Sequence, residues 1–168
     1  MLGPADMDPT ELLLAHLEIG QLPYRYAYAQ DFRDAALLLS LWLETAEPAP
    51  YPDIDIHTVR AEHERWFRKG PTVHFVGNHI IEVDDRDHAH GSVYCTAQLD
   101  FGDEFVDQSI LYQDTYVRHE GTWLFERRRH LLWFGQARAE NPIHQEPDGW
   151  PKTYVGRGVL PDALRAHP

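Results

Sequence analysis

The first third of the chain carries apolar residues at helical spacing. The stretch "DPTELLLAHLEIGQ" opens with an aspartate, a proline and a threonine, a typical N-cap and first turn, and its leucines then follow at roughly helical spacing. A first helix is therefore predicted to begin near residue 9. Asp34 is the predicted N-cap of a second helix in "AALLLSLWLE". After the proline-rich connection at 47–55, "IHTVRAEHERWFRKG" predicts a third helix that stops at its Lys-Gly end.

The pattern changes after residue 71. The segments "TVHFVGNHIIEV", "HGSVYCTAQLDF", "EFVDQSILYQDTYVRH" and "TWLFERRRHLLWF" are rich in β-branched and aromatic residues and are separated by turn sequences. They predict four long strands in a meander. A run of helices followed by a run of strands predicts an α+β domain, in which helices cover one face of a curved antiparallel sheet.

Length, charge and cysteine content narrow the class of protein. A chain of 168 residues predicts one domain, residues 1–168. Its 15 Lys and Arg residues against 27 Asp and Glu residues give a net charge of −12, which disfavours nucleic acids and anionic membranes as partners. The single cysteine excludes an internal disulfide, and the N-terminus lacks a secretion signal, so we expect a cytoplasmic protein. The proline-rich tail, 137–168, is expected to wrap over the body or a neighbouring subunit, or to be partly disordered.

The stretch "YRYAYAQDFRD", residues 24–34, combines alternating tyrosines with two aspartates. On a helix, Tyr24, Tyr28 and Asp31 share one face, which would place two phenols and a carboxylate on one surface. If the helix ends before Asp31, Tyr26 is the tyrosine that turns inward. A structural interpretation is also open, in which the tyrosines pack in the core and Asp31 caps a turn.

The first predicted strand carries two histidines. Strict alternation places His74 and Asn78 on one face and His79 on the other, so one histidine can face the helices. An aspartate in contact with such a histidine would fix its tautomer and leave the other ring nitrogen to move a proton. This chemistry requires neither a metal nor an organic cofactor.

Two further clusters of charged or metal-binding residue types occur in the chain. His88 and His90 in "HAH" lie on one side of a strand, but no third metal ligand is evident beside them, so no metal site is predicted. In the run at 127–130, "RRRH", alternation places Arg128 and His130 on one strand face. We expect most of this run to pair with acidic residues at the surface.

The order of these parts resembles the SnoaL-like branch of the nuclear transport factor 2-like superfamily. The resemblance covers residues 8–135 and rests on "YAYAQDFRD", the strand "VHFVGN" and the closing hairpin "YQDTYVRHEGTWLFERRRH". It implies a conical barrel, made of a curved antiparallel sheet covered by three N-terminal helices, with a pocket open at one end. The functional relatives it suggests are scytalone dehydratase, bile-acid dehydratase and hexachlorocyclohexane dehydrochlorinase.

The resemblance also suggests catalytic residues. Asp31 in "AQDFRD" matches the family's dyad aspartate, His74 in "TVHFVG" matches its dyad histidine, and Tyr26 matches a recurrent pocket tyrosine. Gln30 occupies the place of a pocket tyrosine of scytalone dehydratase. The second catalytic histidine of that enzyme has no counterpart in "SVYCTAQLDF". The predicted catalytic set is therefore Asp31, His74 and Tyr26, with a substrate other than scytalone.

With these residues, the resemblance implies a cofactor-independent dehydratase that acts on a hydrophobic, carbonyl-bearing molecule of polyketide, steroid or terpenoid type. Tyr28, Asn78 and Tyr112 are the predicted substrate-binding residues, and a homo-oligomer, dimer or trimer, is expected. One alternative is an isomerase or cyclase that uses the same dyad. Another is a ligand-binding protein, or an accessory subunit similar to the β subunits of ring-hydroxylating dioxygenases, which need no Asp–His contact inside the cone.

Overall fold

A computed structural model describes residues 7–68 and 70–158. Three helices cover a curved, fully antiparallel sheet with the strand order β1-β5-β4-β3-β2. The helices are α1 (Pro9–Phe32), α2 (Ala35–Ser40) and α3 (Ile56–Phe67), and the strands are β1 (Asp53–Ile54), β2 (Thr72–Val83), β3 (His88–Asp100), β4 (Phe105–His119) and β5 (Thr122–Arg138). The α+β class and the three-helix cover are confirmed.

Aspartates begin the first two helices, as the sequence predicts. The Asp8 carboxylate accepts a hydrogen bond from the Thr10 amide at 2.8 Å, directly before the first helical residue. Asp34 accepts from the Leu37 amide at 2.9 Å. Pro23 removes one backbone donor from the interior of α1, yet the helix continues unbroken to Phe32.

The proline-rich connection contains a short strand that the sequence did not predict. Its two residues pair with β5, where Asp53 stands opposite Arg129. The Asp53 carboxylate also accepts a hydrogen bond from Arg129 Nε at 2.7 Å. Two residues are too few for a strand period to be visible. Strand β1 fixes the connection at the edge of the sheet beside the candidate site.

A β-bulge in β2 changes the faces of its side chains. Between Val76 and His79, β2 advances by one residue more than its partner strand. Each extra residue reverses the alternation that follows it. His79 therefore turns to the same side as His74, and Asn78 is exposed. The prediction that the two histidines point in opposite directions is wrong, and so is the predicted placement of Asn78 beside His74.

An aromatic cluster fills the space between α1 and the sheet. The ring of Tyr26 packs edge-on against Trp42, Phe125 and Tyr112, with centroid distances of 6.3, 6.1 and 6.2 Å. All four side chains are buried. This cluster fixes Tyr26 as the inward tyrosine of α1.

Arg33 joins the end of α1 to the beginning of β2. It closes the helix in the left-handed conformation, with φ 56°. Its guanidinium donates to the carbonyl oxygen of Phe67 at 3.1 Å and to that of Gly70. Asp31, two residues earlier, is thereby held against the first residues of β2.

The end of the sheet differs from the expected boundary of the tail. Strand β5 runs to Arg138, so the predicted tail begins inside a strand. The last ten residues of that tail, 159–168, lie outside the described residues, as does Lys69 at the predicted stop of the third helix. Of the helices described, none has the length and apolar character needed to cross a membrane.

Candidate active site

Asp31 and His74 are in direct contact at the junction of α1 and β2. His74 Nδ1 lies 2.7 Å from Asp31 Oδ1. The other carboxylate oxygen accepts a hydrogen bond from the His74 backbone amide at 2.9 Å, and the Thr72 hydroxyl donates to Oδ1 at 3.0 Å. The two side chains are only 18% and 10% exposed. The carboxylate is fixed on both oxygens and assigns the histidine's tautomer, which leaves Nε2 for a ligand.

His74 lines a cavity of about 210 Å³ between the helices and the sheet, called the inner cavity below. Its apolar wall is formed by Ile54, Trp66, Leu99 and Ile110. Its polar wall includes Tyr26, Gln30, His74, Tyr112 and His130. A cavity that combines an apolar wall with convergent polar groups is typical of a site for a small organic molecule.

A second volume of about 460 Å³ adjoins the inner cavity and is called the outer chamber. Ile54, Trp66 and His130 line both volumes. The outer chamber is bounded by the 49–54 connection and by α3, where Glu62 and Arg65 pair with each other. A molecule longer than the inner cavity can therefore extend past these three side chains.

Two tyrosines of the inner cavity remain protonated hydrogen-bond donors. Burial raises the pKa of Tyr26, although the charge of Arg128 opposes this rise. Burial likewise raises the pKa of Tyr112 well above its ordinary value, and the neighbouring Tyr26 adds to the effect. The Arg128 guanidinium lies 4.5 Å from the Tyr26 ring centre and 4.1 Å from that of Tyr112. Both rings thus form cation–π contacts with the same buried guanidinium.

That cation belongs to a buried ion pair. Arg128 Nε and Nη2 each donate to Asp114 at 2.7 Å, and both residues are buried. The Tyr116 hydroxyl also donates to Asp114, at 2.8 Å, and lies 3.0 Å from His79 Nε2. Burial lowers the pKa of His79, so its ring is held neutral. Most of the run at 127–130 was predicted to pair with acidic residues at the surface, but Arg128 forms its ion pair in the interior.

The structure brings together four of the six predicted site residues. Tyr26, His74 and Tyr112 line the inner cavity, and Asp31 holds His74 from behind. Tyr28, in contrast, is 54% exposed and stacks on Phe32 outside the cavity.

The predicted placements of Tyr28 and Asn78 in the pocket are therefore wrong, for two different reasons. Two residues along a helix lie about 200° apart, so an inward Tyr26 turns Tyr28 to solvent. Asn78 lies in the β2 bulge and is exposed.

His130 is a polar group of the cavity for which the sequence predicted no role. Its ring packs edge-on against Tyr112 at 5.4 Å. Alternation along β5 correctly placed it on the face of Arg128, but that pattern could not say which face is interior. Burial lowers the pKa of His130, a hydrogen bond to its own backbone carbonyl opposes this, and the charges of Arg128 and His74 lower the pKa further. The imidazole is therefore neutral near neutral pH.

The histidines of "HAH" bind carboxylates at the surface. His88 Nδ1 lies 2.9 Å from Asp85, and His90 Nδ1 lies 3.0 Å from Asp84. The hydrogen bond with Asp84 raises the pKa of His90. Within ranges 7–68 and 70–158, no group of three or more His, Cys, Asp or Glu side chains is arranged to hold a metal ion.

The thiol of Cys95, which is buried in β3, is expected to be unreactive in the folded protein. Burial raises its pKa to about 11, and Arg128 opposes the rise. At a pH of about 8 its thiolate fraction is about 0.1%, compared with about a quarter for a thiol of ordinary pKa. Iodoacetamide should label the native protein at least about a hundred times more slowly than the urea-unfolded chain. Similar rates in the two states would contradict this assignment.

Comparisons with known proteins agree on the fold. A family model described as the SnoaL-like domain matches residues 11–129. A type 2 hexachlorocyclohexane dehydrochlorinase superposes with a TM-score of 0.73 at 19% identity, over 84% of this chain and 99% of that one. A candidate scytalone dehydratase from Novosphingobium aromaticivorans gives 0.69 at 22% identity, over 82% and 99%.

A candidate aromatic ring hydroxylase from Novosphingobium aromaticivorans superposes with a TM-score of 0.66 at 19% identity, over 75% of this chain and 94% of that one. No curated protein matches the chain by sequence. At these identities the structural neighbours establish the cone-shaped α+β architecture, and function has to be argued from the site.

Proposed function

Because the chain belongs to the SnoaL-like domain family, we propose that it is a cofactor-independent lyase that removes water from a hydrophobic, carbonyl-bearing small molecule. Polyketide, steroid and terpenoid skeletons are the classes that fit the apolar wall of the inner cavity. The observation that carries the proposal is the 2.7 Å contact between Asp31 Oδ1 and His74 Nδ1 at the wall of that cavity. An acid–base pair fixed in this way can move a proton without further groups.

The proposed reaction uses His74 as both base and acid. Nε2 removes a proton from the carbon adjacent to the carbonyl, and the electron pair of that C–H bond forms the C=C bond of an enolate while the carbonyl electrons move to its oxygen. The enolate then re-forms the C=O bond, its C=C electron pair moves to the bond between the α and β carbons, and the C–O bond of the β-hydroxyl breaks. The Asp31 carboxylate stabilises the imidazolium formed in the first of these steps. His74 then returns the proton to the departing hydroxide, which leaves as water. Tyr26 donates a hydrogen bond to the oxygen on which negative charge develops.

The volumes of the two cavities bear on the size of the substrate. The inner cavity, about 210 Å³, is smaller than the roughly 300–1,000 Å³ that pockets for drug-sized ligands occupy. We therefore place the reacting unit and its carbonyl in the inner cavity. The remainder of the molecule lies between Ile54 and Trp66 and extends into the outer chamber.

An isomerase or cyclase is the second candidate, because the same proton abstraction begins each of these reactions. Return of the proton to a different carbon would give double-bond migration, and attack of the enolate on a second carbonyl would close a ring. A non-catalytic accessory role has no use for the Asp31–His74 contact. The products of a single turnover separate these outcomes.

A panel of β-hydroxy ketones of increasing length tests the proposal, with the enone product followed by its ultraviolet absorbance. Asp31→Asn is expected to lower kcat by about two powers of ten or more, because the amide neither fixes the reactive tautomer nor stabilises the imidazolium. Asp34→Asn is the matched control, since asparagine caps a helix as well as aspartate does. Unchanged turnover by Asp31→Asn would contradict the mechanism, and no turnover across the panel would favour an accessory role.

A further inference from the structure

His130 occupies a position between the two cavities that the mechanism above does not use. It lies on β5, two residues after Arg128 and on the same strand face, and it lines both the inner cavity and the outer chamber. Its ring is oriented by the edge-on contact with Tyr112. Among the hydrogen bonds of the described residues, none joins its ring to another side chain. Its ring N–H interacts with the carbonyl of its own backbone, and a ligand oxygen placed in the cavity can replace that carbonyl as the acceptor.

The charges around His130 favour its neutral form. Arg128 contributes a buried positive charge from the same strand, and His74 becomes positive when it takes a proton. On the side of the outer chamber, the charges of Glu62 and Arg65 are paired with each other. Burial is the largest effect on the pKa of His130 and acts in the same direction as the two cations, whereas the hydrogen bond to its own backbone carbonyl acts against them. A second positive charge on His130 is thus opposed throughout the reaction.

A neutral imidazole has a restricted set of roles. Giving up its N–H proton completely would produce an imidazolate, which is too basic to be formed at neutral pH. The same N–H can donate a hydrogen bond to a developing oxyanion without transferring its proton. Hydrogen-bond donors aimed at such an oxygen in a desolvated site are among the largest contributions to catalysis.

We propose that His130 donates a hydrogen bond from its neutral imidazole to the carbonyl oxygen of the substrate, and that His130 and Tyr26 together stabilise the enolate oxyanion. This assignment rests on the proposed function, and it deepens it by placing the carbonyl at the junction of the two volumes. When His74 removes the adjacent proton, negative charge moves to this oxygen while the proton of His130 stays on its nitrogen. The preferred substrates are then ketones whose longer arm continues from the carbonyl into the outer chamber.

Kinetics of two variants test the role of His130. His130→Phe keeps a ring of similar size but has no donor, and we expect kcat to fall by about 100- to 1,000-fold with a much smaller change in KM. His130→Gln retains an N–H donor and should recover part of the loss. The control is His119→Phe, because His119 is exposed at the end of β4. Wild-type kcat in His130→Phe would overturn the proposal.

A binding probe keeps this test independent of turnover. The anion of 4-nitrophenol is a small aromatic oxyanion whose ionisation is visible in its absorbance. His130→Phe should weaken 4-nitrophenolate binding by about tenfold or more, as expected for the loss of a hydrogen bond to a charged group, while the affinity for nitrobenzene stays the same. An equal loss of affinity for both probes, or no phenolate binding by the wild-type protein, would overturn the proposed hydrogen bond from His130.

The outcomes separate His130 from the proposed function as a whole. If Asp31→Asn abolishes turnover while His130→Phe changes neither kcat nor phenolate affinity, the lyase proposal stands and the role of His130 fails. If no hydroxy ketone is turned over but phenolate binding depends on His130, the oxyanion site stands and the lyase proposal fails.

Discussion

Replacing His74 with alanine is expected to lower kcat/KM by about two to four powers of ten, the range that general acid–base catalysis contributes. The variant loses the only group proposed to remove the substrate proton. It also leaves the Asp31 carboxylate, which still accepts hydrogen bonds from the Thr72 hydroxyl and the residue 74 amide. Steady-state kinetics on the best hydroxy ketone of the panel measure the effect.

The controls for this experiment separate chemistry from folding. His88→Ala removes a histidine that also pairs with an aspartate, but at the surface, and it should retain wild-type kcat/KM. Circular dichroism should report the same fold for both variants. A His74→Ala protein with wild-type activity would remove His74 from the mechanism.

Arg128→Met is expected to lower the free energy of unfolding by about 3 to 5 kcal/mol, the usual cost of breaking a buried ion pair from one side. Methionine fills a similar volume, but Asp114 then carries a buried charge without its counter-ion. Loss of the guanidinium also removes the support beneath Tyr26 and Tyr112. Urea unfolding followed by tryptophan fluorescence measures this change.

A double variant identifies the cause of the loss. Arg128→Met combined with Asp114→Asn should recover a large part of the stability, because the neutral amide can still accept the hydrogen bond of Tyr116. The control is Arg138→Met, whose partner Asp107 lies at the surface, and it should unfold close to the wild type. Wild-type stability of Arg128→Met alone would contradict the importance of the buried pair.

The helix starts and the long strands were predicted correctly, because each depends on a few consecutive residues. Asp8 and Asp34 satisfy the first amides of their helices through their own side chains, so both helix starts are visible in a few consecutive residues. The alternating apolar pattern of the four long strands is similarly local. The choice of Asp31 and His74 came from the resemblance, since spacing alone left Asp31 as either a pocket acid or a turn cap.

The errors arose where a single residue changes the register. Gly77 and Asn78 lie in the β2 bulge, and strict alternation cannot count the extra residue. A glycine inside a strand pattern was the available signal for this irregularity. As a result, Asn78 was predicted to line the pocket, and His79 was predicted to point away from His74.

Pairs formed across the sheet could not be read from the sequence. Asp114 and Arg128 face each other because β4 and β5 are joined by a tight hairpin, but a further register shift follows at Thr115/Tyr116. Alternation says which residues share a face and not which face is buried. For the same reason His130 was grouped with a predicted surface run although it lines the cavity.

Exchange of the proton adjacent to the carbonyl is the most direct measure of proton abstraction by His74, because it reports proton removal even when no water can leave. A ketone of the active series that lacks the hydroxyl is incubated in D₂O, and the loss of its α-proton signal is followed by ¹H NMR. We expect rapid exchange with the wild-type protein and only the uncatalysed rate with His74→Ala. Equal exchange with both proteins, or none above background with a wild type that turns over the parent hydroxy ketone, would contradict proton abstraction by His74.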